Sequence, residues 1–339
     1  MNLHKTKIDW ATHTWNPVTG CLHDCEYCYA RRFISRFAPH ACERPSEPIK
    51  KLDGLPCYQI DHPARLLDER GDYVRSTPYP KGFEPMISTY TLDYPAKRKI
   101  PSRVFVSSMG DLFGSWVPDE WIEQVFEAAK AAPQHKYLFL TKNPKRYYEL
   151  ARSGKLPGDK NFWYGTTVTK GGTAWQWCGE WSMPKAWHTF LSIEPLLDDV
   201  TIWLENGGYY PDWLIVGAMT GPGSKDHQPR REWVERLVNY ARERNIPLFM
   251  KGNIKAVWGD DLIQEYPPEL LYTGCSKCAI KSTARHPQTG MHLLQSLPRT
   301  ATPSESARSR KPKIHATSTT SSIGGKIEIE KEELAENAG

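Results

Sequence analysis

Three cysteines fall within eight residues, in the segment Gly20 to Ala30, GCLHDCEYCYA. Cys21, Cys25 and Cys28 follow a C-x3-C-x2-C spacing, with Tyr27 just before the last of them. Three thiolates on so tight a loop bind three irons of a [4Fe–4S] cube and leave the fourth iron without a protein ligand. A substrate or cofactor carrying chelating amino and carboxylate groups suits that open corner. The residues that follow, Tyr29 to Phe37, read as a helix whose dipole and N–H groups favour the thiolates. Structural zinc is the competing reading, with Cys21, His23, Cys25 and Cys28 as a Cys3His set. Four ligands crowded onto one short loop make a strained tetrahedron, which favours the cluster.

Composition agrees with metal or redox chemistry. The chain has 339 residues and eight cysteines, with 39% hydrophobic and 24% charged residues and a net charge of +5. The first ten residues carry Lys5, Lys7 and Asp9 and no apolar core, unlike a signal peptide. No apolar stretch is long enough to span a bilayer, so the expected location is the cytoplasm, away from membranes. Thiols there stay reduced, and clustered cysteines point to metals before disulfides. The mild positive charge allows an anionic substrate without requiring one. Thirteen tryptophans, including Trp175, Trp177 and Trp181, read first as buried platforms or interface and second as surfaces for base stacking.

The elements that must position the loop are legible from residue 103 onward. Apolar runs recur at 103–107, 136–140, 162–168, 188–193, 212–216 and 246–250, each with the length and bias of a buried strand. Between them, 119–132 and 231–244 have helical spacing of apolar residues, the first opening on acidic residues and the second closing on basic ones. The alternation predicts an α/β fold of right-handed βαβ units around a parallel sheet, a partial or full (β/α) TIM-type barrel. Several runs end in polar residues, as a ring of ligands at the C-terminal strand ends would. The region 41–80 lacks a period and is expected to be an irregular insertion. The barrel domain is expected over 1–275. Residues 276–339, rich in Ser, Thr, Pro and basic residues before an acidic end, are expected to form a disordered tail.

The spacing and the aromatic of the cysteine loop resemble the motif of radical S-adenosylmethionine (SAM) enzymes. The phrases IDWATHTWNPVTGC, RVFVSSMGDLF, LFLTKNPKR, FLSIEPLL and DWLIVGAMTGPG resemble, in order from about Lys7 to Asn253, the phage Gp37/Gp68 family, a radical SAM-like domain of unknown function. Met219 stands in GAMTGPG where that family usually has an acidic residue. The resemblance implies an open iron that chelates SAM and reductive cleavage of the sulfonium to a 5′-deoxyadenosyl radical. It also implies an electron donor of the flavodoxin or ferredoxin type. It places Tyr27 near the adenine. Ser107, Ser108, Asp111, Thr166 and Glu194 become candidates for the amino group, carboxylate or ribose of SAM. A turn or helix cap is the competing role for Asp111, and a surface salt bridge for Glu194.

Lys142 and Lys251 are candidates for an anionic group, and with Asp111 for catalysis. Lys145 and Arg146 read as solvated charge. Cys275 and Cys278 form a lone C-x2-C, with His286 and His292 at loose spacing. Free thiol, a small zinc site and an auxiliary cluster all remain open for it. The expectation is a radical SAM enzyme whose substrate is unidentified, with nucleic acid one candidate. The alternative is a nucleic-acid-binding protein with a structural iron–sulfur or zinc site.

Overall fold

The computed structural model describes residues 3–175, 187–208 and 210–271. Eight strands form the main sheet: His4–Lys5 (β1), His13–Trp15 (β2), Arg103–Val106 (β3), Lys136–Thr141 (β4), Phe162–Thr167 (β5), His188–Ile193 (β6), Trp213–Val216 (β7) and Leu248–Met250 (β8). They lie in chain order, with β1 antiparallel to β2 and every later neighbour parallel. The six apolar runs of the sequence are all strands, with ends shifted by at most two residues. β1 and β2 escaped notice because strands of two and three residues, HK and HTW, are too short to show a period.

Neighbouring positions on each strand face opposite layers. Val104, Val106, Tyr137, Phe139, Phe162 and Tyr164 pack with the helices Asp119–Lys130 (α2) and Pro144–Arg152 (α3). Leu191, Ile193, Leu214, Val216, Leu248 and Met250 pack with Thr201–Asn206 (α4) and Arg231–Glu243 (α5). The alternate positions, Phe105, Leu138, Trp163, Phe190, Trp213 and Phe249, gather instead around Trp10. The helices therefore cover one face, and the other face closes on its own aromatic side chains.

That inner face is curled. Four strand spacings separate β3 from β7, about 19 Å in a flat sheet. Yet the Trp10 ring lies 4.7 Å from Phe105 of β3, 6.1 Å from Phe190 of β6 and 6.4 Å from Trp213 of β7. Tyr266 spans the same gap, with the Arg103 guanidinium 4.3 Å from its ring and Phe249 5.2 Å away. The loop between β1 and β2 meets the far edge, where the Gly252 N–H donates to the Asp9 carboxylate at 2.8 Å. The result is a mixed α/β fold with a large parallel sheet. The ladder order ends at β1 and β8, and no ladder closing it into a barrel is found among the described residues.

The segment expected to be irregular contains short strands. Lys50–Lys51 and Tyr58–Ile60 join Val18–Thr19 and Met86–Ser88 in one small sheet. Arg44–Pro45, Ala64–Leu67 and Tyr73–Thr77 form another. Runs this short, interrupted by Pro and Asp, leave no alternation to read. The expected tail, Cys275, Cys278, His286, His292 and the Trp177–Trp181 stretch lie outside the described residues.

Candidate functional site

The cysteine loop sits where Gly20 and Gly110 allow backbones to touch. Gly20 has φ +83°, and a Cβ there would lie 2.2 Å from the Glu84 carbonyl oxygen. Its N–H donates to the Met109 carbonyl at 3.0 Å, joining the loop to the segment after β3. After the loop comes Tyr29–Ser35 (α1), capped by Cys28. Its arginines brace the loop from behind: Arg31 donates to the Cys21 carbonyl, and Arg32 to those of Glu26 and Tyr27.

The Arg31 N–H donates to Cys28 Sγ at 3.3 Å. The His23 peptide and the Tyr27 hydroxyl favour the thiolates of Cys21 and Cys25. Burial nonetheless pushes the Cys21 thiol up to about 12, and the Cys25 thiol upward too, with the Lys142 charge acting against it. Burial also raises the Tyr27 phenol. Thiols held neutral by burial become good ligands once a cation arrives to take their negative charge. Lys142 Nζ stands 5.5 Å from the Tyr27 ring centre.

The loop opens onto a cavity of about 1030 Å³. Residues at or just past the ends of β2 to β8 line it, among them Ser108, Asp111, Lys142, Ser192, Glu194 and Lys251. Two expected members are turned away. Ser107, at φ +56°, and Thr166 are buried outside the lining, and among the described residues neither hydroxyl has a partner. Thr167 takes the place expected of Thr166. The reason is parity: Thr166 shares the outer face with Phe162 and Tyr164. Lys145 and Arg146 do not line the cavity either, and pair with Glu149 and Asp119.

Two carboxylates in the lining differ sharply. Asp111 is buried and saturated. It accepts from Thr141 Oγ1 at 2.8 Å, the Phe113 N–H at 3.0 Å, the Lys142 N–H at 2.9 Å and His23 Nε2 at 2.8 Å. Burial alone raises its carboxyl, but the His23 hydrogen bond and charge, with the Lys142 N–H and Thr141, hold it below the ordinary range. Glu194 stays part-exposed, ion-paired with Lys251 and 3.3 Å from Asn253 Nδ2. Asn253, one of the polar strand-end residues, lines the cavity as well. Asn16, which accepts from Ser108 Oγ at 3.0 Å, is a site residue that the sequence reading passed over. Gly217 completes the cradle. A Cβ on it would stand 3.1–3.2 Å from Asn253, Lys251 and Glu194.

Three thiols on one loop are the donors that an open iron–sulfur cube takes, one to each of three irons. Tetrahedral zinc with 2.3 Å bonds draws its sulfurs to within about 4 Å of one another. Among the described residues no three His, Cys, Asp or Glu side chains are grouped to hold one metal ion. His23, moreover, spends its Nε2 on Asp111. A cube asks for wider spacing because each sulfur binds a different iron.

Fold and site together define an α/β protein with a three-thiol loop set over the C-terminal edge of a curled parallel sheet. The chain belongs to the family described as "Protein of unknown function (DUF5131)", whose model matches residues 5–261. That description does not carry the phage Gp37/Gp68 name inferred from the sequence phrases. No curated protein matches. Among solved structures, spore photoproduct lyase complexed with dinucleoside spore photoproduct is similar at 11% identity and a TM-score of 0.36, covering 71% of this chain and 64% of that one. A point mutant of that lyase gives 11% identity and a TM-score of 0.40, covering 74% and 78%. A double mutant with bound AdoMet and the dinucleoside gives 12% and 0.36, covering 69% and 63%. This chain thus spans less than two thirds of two of those three chains. Among the described residues, no helix is long and apolar enough to cross a membrane.

Proposed function

We propose that this protein is a radical SAM enzyme in which Cys21, Cys25 and Cys28 are the protein ligands of a [4Fe–4S] cluster. One observation carries the reading: the three-thiol loop and the polar ends of β2 to β8 face a single cavity of about 1030 Å³. When bound, the cluster supplies the electron that cleaves SAM reductively to a 5′-deoxyadenosyl radical. The chain's own part is to hold, orient and shield. Glu194, fixed by Lys251 and Asn253, offers acceptor oxygens to hydroxyl or amino groups. Lys142 has no carboxylate partner among the described residues, and offers a counter-charge to an anionic group. Met109, Leu140 and Phe83 give the cavity apolar walls that exclude water. The electron would come from a flavodoxin- or ferredoxin-type donor, and nucleic acid is one candidate substrate.

The test is anaerobic reconstitution with iron and sulfide, then reduction in the presence of SAM. The expected result is about four irons per chain and release of 5′-deoxyadenosine, both lost when Cys21, Cys25 or Cys28 is replaced by Ala. Zinc in place of iron, or turnover surviving any of those replacements, would refute the reading. Adding single-stranded DNA or RNA and looking for faster SAM cleavage tests the substrate candidate.

A further inference from the structure

The three-residue gap between the first two cysteines holds a histidine whose ring is fastened to the sheet. His23 Nε2 lies 2.8 Å from Asp111 Oδ2, and its ring meets Trp116 edge-on at 4.9 Å between centroids. An ionised carboxylate only accepts hydrogen bonds, so Nε2 must carry the proton and donate. Asp111 in turn is gripped by the Phe113 N–H, Thr141 and the Lys142 N–H. A carboxylate has about four acceptor positions, and these four donors use them all. No acceptor remains for a cofactor amino group. The carboxylate instead ties the loop to the ends of β3 and β4.

The same histidine lies two residues from Cys21 and two from Cys25. Fixing its ring therefore limits how the loop between those cysteines can turn. We propose that His23, anchored by Asp111, is a positioning residue that fixes the cysteine loop over the cavity and so tunes the metal centre that Cys21 would hold. The tuning rests on the cluster reading above; the anchoring does not. Cluster potentials depend on solvent exposure and on the surroundings of the sulfurs. Releasing the loop therefore shifts the reduction potential.

Three replacements separate anchoring from bulk. His23→Phe keeps a ring against Trp116 but cannot donate to Asp111. His23→Ala lacks both, and serves if the phenyl variant misfolds. His23→Gln retains a donor. In metal-free protein, alkylation of Cys21 by iodoacetamide, read by peptide mass spectrometry against exposed Cys42, should rise roughly two- to tenfold in the Phe and Ala variants. That range is the worth of the His23–Asp111 hydrogen bond that holds the loop closed. His23→Gln should stay near the parent rate. In reconstituted protein the Phe and Ala variants should show a shifted potential and an altered paramagnetic signature of the reduced cluster, both restored by Gln. Phe, Ala and Gln variants that all match the parent in both measurements would overturn the proposal. A parent protein that takes up no iron would sink the cluster reading, while the alkylation series would still decide the anchoring.

Discussion

At the scale of single residues, two carboxylates of the same cavity are set to different work by their neighbours. Asp111 is saturated inside the protein, whereas Glu194 keeps one strong partner and a solvent-facing side. Replacing Lys251 by Met leaves Glu194 with Asn253 alone. Breaking a fully buried pair costs about 3–5 kcal/mol, and this one is part-exposed, so about 1–2 kcal/mol is expected in urea unfolding. SAM affinity should fall with it; unchanged affinity would remove Glu194 from the proposed ligands. Gly217→Ala pushes a methyl against Asn253, Lys251 and Glu194. It should weaken SAM binding, seen by equilibrium dialysis, while the iron content stays at the parent level. The cysteines were legible as candidates from their tight spacing, and Ser108, Lys142, Glu194 and Lys251 because polar residues recur at the ends of the apolar runs. Thr166 was misplaced because a strand buried on both faces carries no alternation that tells inside from outside, and Ser107 because it follows β3 in a left-handed conformation that no strand pattern announces. Asp111 was legible as important, but whether its acceptors are already taken is a fact of three dimensions.

At the scale of elements, the short ones at the start of the chain are the ones that sequence periodicity missed, and two of them carry sharp tests. Gly20 joins β2's continuation to the cysteine loop at a left-handed φ, with the Glu84 carbonyl pressed against it. Gly20→Ala should cost more than the roughly 1–3 kcal/mol of the backbone conformation alone, because the methyl also clashes. A melting temperature within about 2 °C of the parent would contradict the close approach. On β2, burial first, then the charges of Arg98, His135 and Lys5, push the His13 imidazole down to about 4. Unfolded, it titrates near 6.5. Between those values the unfolded chain binds more protons, so this contribution is whole above about pH 6.5 and drains away as pH falls toward 4. Burial lowers His135 as well, which adds slope of the same sign. Unfolding free energies taken from about pH 7 to about pH 4.5 should decline in the parent and less steeply in His13→Asn. Equal slopes would mean that His13 is protonated freely in the fold.

At the scale of the whole molecule, the six long apolar runs and their alternation with helices announced a parallel sheet. They could not announce its curvature, because strands buried on both faces look the same flat or curled. The curvature is written in one residue outside the runs. Trp10, in the loop before β2, is 2% exposed and stands against side chains of β3, β6 and β7. Curling the strands around it turns their C-terminal ends toward one another, and this brings Ser108, Lys142, Glu194 and Lys251 to a common cavity. Trp10→Ala should therefore cost about 3–5 kcal/mol, the usual range for emptying a large buried site. Trp10→Phe should cost less, on the order of 1–2 kcal/mol. The indole N–H has no partner among the described residues, so only volume is lost. Both variants, where they still fold, should bind SAM more weakly than the parent, since Trp10 shapes the curl and also lines the cavity. A Trp10→Ala protein within about 1 kcal/mol of the parent in urea unfolding would show that the sheet curls without its plug. The convergence of the strand ends would then need another cause.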